Sequence, residues 1–309
     1  LSVMKKFLLS FFLLALFMQS CSNRPQTIEK PYHGLRNNEV IEIERVVLTD
    51  SSTVFHIAAF FRPHNWIRIA GDTYLKADGE KYMITGSDGI DIDSLHWMPE
   101  SGRDSFLLVF PALPEGVKSF DFIESDCDEC FKTWNISLTG KPKYTSPIPA
   151  DALNARQDQK VKLPPVNMNP AKTKLNVYFL GLEEGYAIGE PSIYLNDFFL
   201  LDQVEYAPVK NEDGSYTFEF NLNYTSPVVV STMRNGINVV LEPGETAEVY
   251  IYLAASSMRN SRLRSQPSMV YAGFKGKFAG LNSELTNYNS KNLYGINNWD
   301  NNAIDFTPD

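Results

Sequence analysis

Between residues 40 and 138 the apolar positions come in short runs, many alternating with polar neighbours. Residues 40–48, 53–61, 66–69, 106–110, 118–123 and 134–138 each have strand length, and Gly, Pro, Asp or Ser closes most of them. A period of two punctuated by turn residues predicts half-buried strands. No sustained 3.6-residue stripe runs through residues 40–140, so a β-sandwich is expected there.

The pattern then breaks. Residues 141–173 carry Pro142, Pro147, Pro149, Pro164, Pro165 and Pro170 among polar residues, which reads as a linker. Alternation resumes near Leu175. Glu212-Asp213-Gly214 separates strand-like residues 203–209 from 216–222, which predicts a hairpin. Asn235-Gly236 separates 228–232 from 237–241 and suits the positive φ of a type I′ turn. Pro243-Gly244 leads into 247–253. Farther on the period changes: Phe274, Phe278, Leu281, Leu285 and Tyr288 share one face of a helix predicted over 274–288, weakened by Gly276 and Gly280. Residues 286–302 are Asn-rich and loop-like. Thr307-Pro308 is a helix-start signal at the end of the chain, so truncation before further elements is expected.

The expected fold is therefore mainly β, with two β-sandwich (immunoglobulin-like) domains in tandem and a short C-terminal helical segment. The expected boundaries are 39–140 for the first domain, 141–173 for the linker, 174–255 for the second domain and 256–309 for a helical or loop spacer.

The N-terminus has its own grammar. Lys5 and Lys6 precede the apolar run 7–17, of signal-peptide length. The run stops at Met18-Gln19-Ser20-Cys21, a loose match to a bacterial lipobox. Residues 1–20 are expected to be a lipoprotein signal peptide, Cys21 the lipidation site and 21–38 a polar tether. Acylation there would make the membrane a partner through a lipid anchor, because each buried CH₂ contributes about 0.8 kcal/mol.

Composition narrows the chemistry. The chain has 309 residues and a net charge of −9, which argues against sequence-independent nucleic-acid binding. Four His leave few groups for neutral-pH acid–base work. Cys127-Asp128-Glu129-Cys130 is the motif with redox potential. A thioredoxin-type dithiol sits where a helix N-terminus lowers the thiol pKa. Here a strand-like run follows, and Glu124, Asp126, Asp128 and Glu129 would raise that pKa. A structural disulfide is the favoured reading; an active dithiol, half a metal site or two free thiols are the others. Asp88-Gly89-Ile90-Asp91-Ile92-Asp93 could attract a hard cation but lacks the EF-hand order, and reads as a solvated turn. Gly273-Phe274-Lys275-Gly276-Lys277 lacks the spacing of a phosphate loop. Trp66, Trp97 and Trp134 could form a sugar-stacking surface, with core aromatics as the blander reading. No catalytic residue, metal site or cofactor is expected.

Several phrases resemble one family. Trp66-Ile67-Arg68-Ile69, Trp97-Met98-Pro99-Glu100-Ser101-Gly102, and Ser119-Phe120-Asp121-Phe122-Ile123-Glu124 running into Cys127–Cys130 and Phe131-Lys132 are similar to the N-terminal region of lipoprotein-type, thioredoxin-like (TlpA-type) disulfide reductases. Leu241-Glu242-Pro243-Gly244-Glu245 and 269–282 are similar to their second β domain and spacer. In that family catalysis belongs to a C-terminal thioredoxin fold with a Trp-Cys-x-x-Cys site, which has no counterpart in this sequence. The resemblance implies a non-enzymatic, membrane-anchored accessory region that spaces or recruits in the envelope of a Gram-negative bacterium. Its implied partners are an envelope protein or a downstream thioredoxin domain. A stand-alone surface lipoprotein binding a glycan or envelope protein is the alternative, and a dithiol redox protein the third reading.

Overall fold

The computed structural model describes residues 26–156, 164–199, 201–232, 236–259, 261–263 and 270–287. The leader, Cys21, Asn235 and the tail from residue 288 lie outside them. The described chain is mainly β, built as β-sandwich units with a short C-terminal helix. It divides into two units, Leu1–Lys143 with Ser261–Ser265, and Tyr144–Asn260 with Gln266–Asp309. No described helix is long and apolar enough to cross a membrane.

In the first unit, strict alternation builds the core. Strand β3 (Ser52–Phe60) turns Thr53, Phe55, Ile57 and Ala59 inward. It lies between β2 (Ile41–Leu48) and β9 (Arg103–Pro111), with β1 (Gln26–Glu29) and β7 (Gly86–Asp88) at the edges. The facing sheet has the order β11 (Lys132–Ser137), β10 (Ser119–Ile123), β5 (Tyr74–Ala77), β6 (Glu80–Met83). Phe55 joins the layers, its ring centroid 5.6 Å from Phe120 and 5.9 Å from Phe122. A separate ribbon pairs β4 (Trp66–Ile67) with β8 (His96–Trp97).

The second unit repeats the plan with different topology. One sheet runs β15 (Val209–Lys210), β16 (Tyr216–Leu222), β12 (Ala171–Leu180), β19 (Thr246–Tyr252), β20 (Ala272–Lys275). Its β12–β19 pair is parallel. The other runs β14 (Asp202–Tyr206), β13 (Ser192–Asp197), β17 (Ser226–Ser231), β18 (Gly236–Leu241). Tyr206 and Phe220 meet across the layers at 5.1 Å.

Several expectations change here. The predicted strand 203–209 is split at Ala207-Pro208. Its first part is β14 in one sheet and its second part is β15 in the other, where β15 pairs with β16. Proline lacks the amide a continuous ladder would need. The turn after β17 is longer than a two-residue hairpin, because Ser231 pairs with Gly236 and Gly236 is itself the first residue of β18.

The predicted helix over 274–288 is also two elements. Phe274 is buried in β20, and Gly276 at φ 128 takes a backbone conformation closed to other residues. Helix α3 then spans Ala279–Asn287; the two other helices among the described residues are α1 (Ala150–Leu153) and α2 (Leu253–Arg259). The buried face of α3 is not the predicted apolar stripe: Asn282 and Ser283 are inside and Leu285 is exposed.

The proline-rich stretch, expected to be a partly extended linker, is helical over Ala150–Leu153. It contains α1, whose Ala152 is buried along with Ile148. A Cβ at Gly273 would collide with Ile148 and with the Ala152 backbone, so glycine is what lets this turn rest on β20.

Candidate functional site

Cys127 and Cys130 lie in the loop between β10 and β11, joined by a disulfide with Cα atoms 5.3 Å apart. The loop is held from several sides. Glu124, buried at its base, accepts the amides of Ala70 at 3.2 Å and Phe131 at 2.9 Å on its two carboxylate oxygens. Burial raises its pKa against the pull of those amides. Asn37 donates to the Cys130 carbonyl at 2.7 Å and accepts the Lys132 amide at 2.8 Å. Asp126 accepts the Tyr74 hydroxyl at 2.6 Å and Lys81 at 3.3 Å, which together hold its carboxyl below the usual range. The chain leaves this loop as a strand. The element that follows the two cysteines is strand β11 and not a helix, and the neighbouring carboxylates would oppose a thiolate.

The other sequence candidates are dispersed. Asp93 accepts the Gly71 amide at 2.8 Å, while Asp88 belongs to β7. No cluster of three or more His, Cys, Asp or Glu able to hold a metal occurs among the described residues. Lys275, on β20, pairs with Asp151 at 3.1 Å and Glu248 at 3.5 Å; the Asp151 contact raises its pKa. Lys277 pairs with Glu242. Both lysines of the glycine-rich phrase are thus held by carboxylates.

The three tryptophans part company. Trp134 is a core residue at 3 % exposure. Trp66 and Trp97 stand directly opposite each other on the β4–β8 ribbon, at 49 % and 60 % exposure. The pleat explains it: their neighbours Ile67 and Met98 point inward and are buried, so the tryptophans point out. Hydrogen bonds from His64 N to Met98 O and from Met98 N to Asn65 O extend the ribbon. At its end His64 Nε2 meets Glu100 Oε2 at 2.6 Å. Gly102, at φ 63, allows the turn below, where a Cβ would strike the Phe61 carbonyl. Two exposed tryptophans paired across a two-stranded ribbon, with His64 and Glu100 nearby, offer apolar surface to an amphipathic ligand.

A second exposed apolar feature escaped the sequence reading, the tip between β13 and β14 with Phe198, Phe199 and Leu201. The run Phe-Phe-Leu-Leu between Asp197 and Asp202 was its signal, since four consecutive apolar residues at a turn break the strand alternation.

No protein-family model and no curated protein matches the chain. Among solved structures, the Bacillus anthracis TIE protein is similar over 76 % of this chain and 42 % of its own length, at 9 % identity and a TM-score of 0.19. The chain thus spans under half the length of that structure.

Proposed function

We propose that the chain is the non-catalytic accessory region of a thioredoxin-like disulfide reductase lipoprotein, anchored through Cys21 in the cell envelope of a Gram-negative bacterium, where it spaces or recruits. The observation that carries this reading is the Cys127–Cys130 loop. A disulfide on a braced hairpin among carboxylates is suited to holding the loop, and leaves disulfide exchange to a partner domain. Reading the gene beyond the Asp309 codon tests it. A thioredoxin domain in frame, or after one frameshift, is the expected result; a stop codon followed by unrelated sequence would contradict it.

The exposed Trp66–Trp97 pair favours a second reading, a stand-alone lipoprotein that binds a glycan or an envelope protein. Co-sedimentation with purified peptidoglycan sacculi probes its glycan form. Retention lost in Trp66→Ala/Trp97→Ala at unchanged melting temperature supports glycan binding there, and equal retention of the variant contradicts it.

A further inference from the structure

We infer that Glu245, Glu242 and Lys277 form a pH-sensitive switch that sets how firmly helix α3 is clamped to the edge strand β18. All three belong to the second unit, apart from the Cys127–Cys130 loop. Glu242 and Glu245 flank the Pro243-Gly244 turn between β18 and β19, and Lys277 stands just beyond β20, two residues before α3. Glu245 Oε2 is buried with no hydrogen-bond partner, whereas Glu242 holds the Lys277 ammonium. Two carboxyl groups and one ammonium thus share one place, and the ammonium is committed to Glu242.

The backbone of the turn is bolted down. Thr173 Oγ1 accepts the Gly244 amide at 3.1 Å and donates to the Glu242 carbonyl at 3.3 Å. The Lys174 amide donates to the Glu245 carbonyl at 3.0 Å, and the Glu245 amide to the Glu242 carbonyl at 3.3 Å. The Glu245 carboxyl lies against Gly276, where a Cβ would be 3.6 Å from Oε1 and 3.0 Å from the Ala247 Cβ. A neutral carboxyl is tolerated in such a place; a carboxylate needs a donor. The charges that act on Glu245 are Glu242, which repels, and Lys277, which attracts. The Lys174 charge acts on Glu219 of β16. Ionised Glu245 therefore draws on Lys277, whose half-exposed side chain can turn where the bolted backbone cannot, and whose ammonium has three donors to share.

That pull reaches α3 through a short circuit of contacts. The Gly276 carbonyl accepts the Ala279 amide at 3.2 Å, and the Phe278 carbonyl accepts the Asn282 amide at 2.8 Å. The Asn282 side chain bonds both backbone groups of Val240, two residues before Glu242. Gly276, at φ 128, is a hinge position closed to other residues. A shift of Lys277 toward Glu245 thus moves the first turn of α3 against the strand edge it covers. The direction follows from burial, which raises the Glu245 pKa to about 7. The neutral, clamped form holds below that value and the ionised, loosened form above it.

NMR of the chain from Ser22 to Asp309, which keeps every described residue, tests the switch from about pH 5 to pH 9. The Asn282 side-chain amide and the Val240 backbone amide are expected to shift with one midpoint of about 7, shared with the Glu245 carboxyl carbon. Glu245→Gln should hold both reporters at their low-pH positions throughout. Lys277→Gln should leave Glu245 titrating at a higher midpoint while Val240 and Asn282 stop following it. A Glu245 midpoint near 4.5 overturns the inference. So do reporters that stay flat while Glu245 titrates, that still titrate in Glu245→Gln, or that follow Glu245 unchanged in Lys277→Gln.

Discussion

Asn282 does work usually given to a strand. Its Oδ1 accepts the Val240 amide at 2.8 Å and its Nδ2 donates to the Val240 carbonyl at 3.0 Å. Strand β18 is a sheet edge, and a side-chain amide satisfies both backbone groups of Val240 near its C-terminal end. Asn282→Ala should cost about 1–3 kcal/mol in urea unfolding, because it strands a donor and an acceptor in a covered place. Glu245 is the opposite case. Its Oε2 is buried with no hydrogen-bond partner, and burial pushes its pKa up to about 7, with Glu242 adding repulsion and Lys277 opposing. A carboxyl whose folded pKa exceeds its unfolded value stabilises most below the unfolded value and loses that contribution as pH rises. Stability should therefore fall between 4.5 and about 7, and Glu245→Gln should flatten that slope in melting temperatures recorded across the window. Neither residue announces its role in the sequence. A polar residue on an apolar-looking helix and a glutamate in a turn have ordinary solvated readings, and only the distant strand decides otherwise.

Elements were legible where the chain speaks locally. The alternation of β3, β9, β12 and β16 reads directly, because one face of each is buried and the other is not. The Asp213-Gly214 turn is equally plain, with Gly214 at φ 81. What could not be read was which sheet a strand joins. Residues 203–209 look continuous, yet the chain changes sheets at Pro208. Phe274 fits a helical stripe by spacing alone, but partner strand β19 holds it as Phe274↔Val249. The Trp66–Trp97 pair was among the sequence candidates; its exposure was not legible, since it depends on a ribbon that lies beside the main sheets. Shape and register, rather than composition, separate those two tryptophans from the buried Trp134.

At the scale of the whole chain, continuity and compactness differ. The first unit includes Ser261–Ser265, reached only after most of the second unit has been made. Glu42 holds this returning segment: it accepts Ser261 Oγ at 2.8 Å and the amides of Arg262 and Leu263 at 2.7 and 3.2 Å, with Arg36 at 3.0 Å. Burial would raise the Glu42 pKa, but the Arg36 charge and these donors outweigh it and hold it below 4.5. Its contribution is therefore present above 4.5 and lost as pH falls through the lower folded value. Glu42→Gln leaves the Arg36 charge buried and should cost about 3 kcal/mol in urea unfolding, while speeding hydrogen exchange at the Arg262 and Leu263 amides.

The central claim, that Cys127 and Cys130 brace a loop and perform no disulfide exchange, meets its most direct test in insulin reduction by the chain from Ser22 onward with dithiothreitol as the electron source. The expected rate equals the dithiothreitol background for both the wild type and Cys127→Ser/Cys130→Ser. A wild-type rate above background that disappears in the double variant would contradict the account.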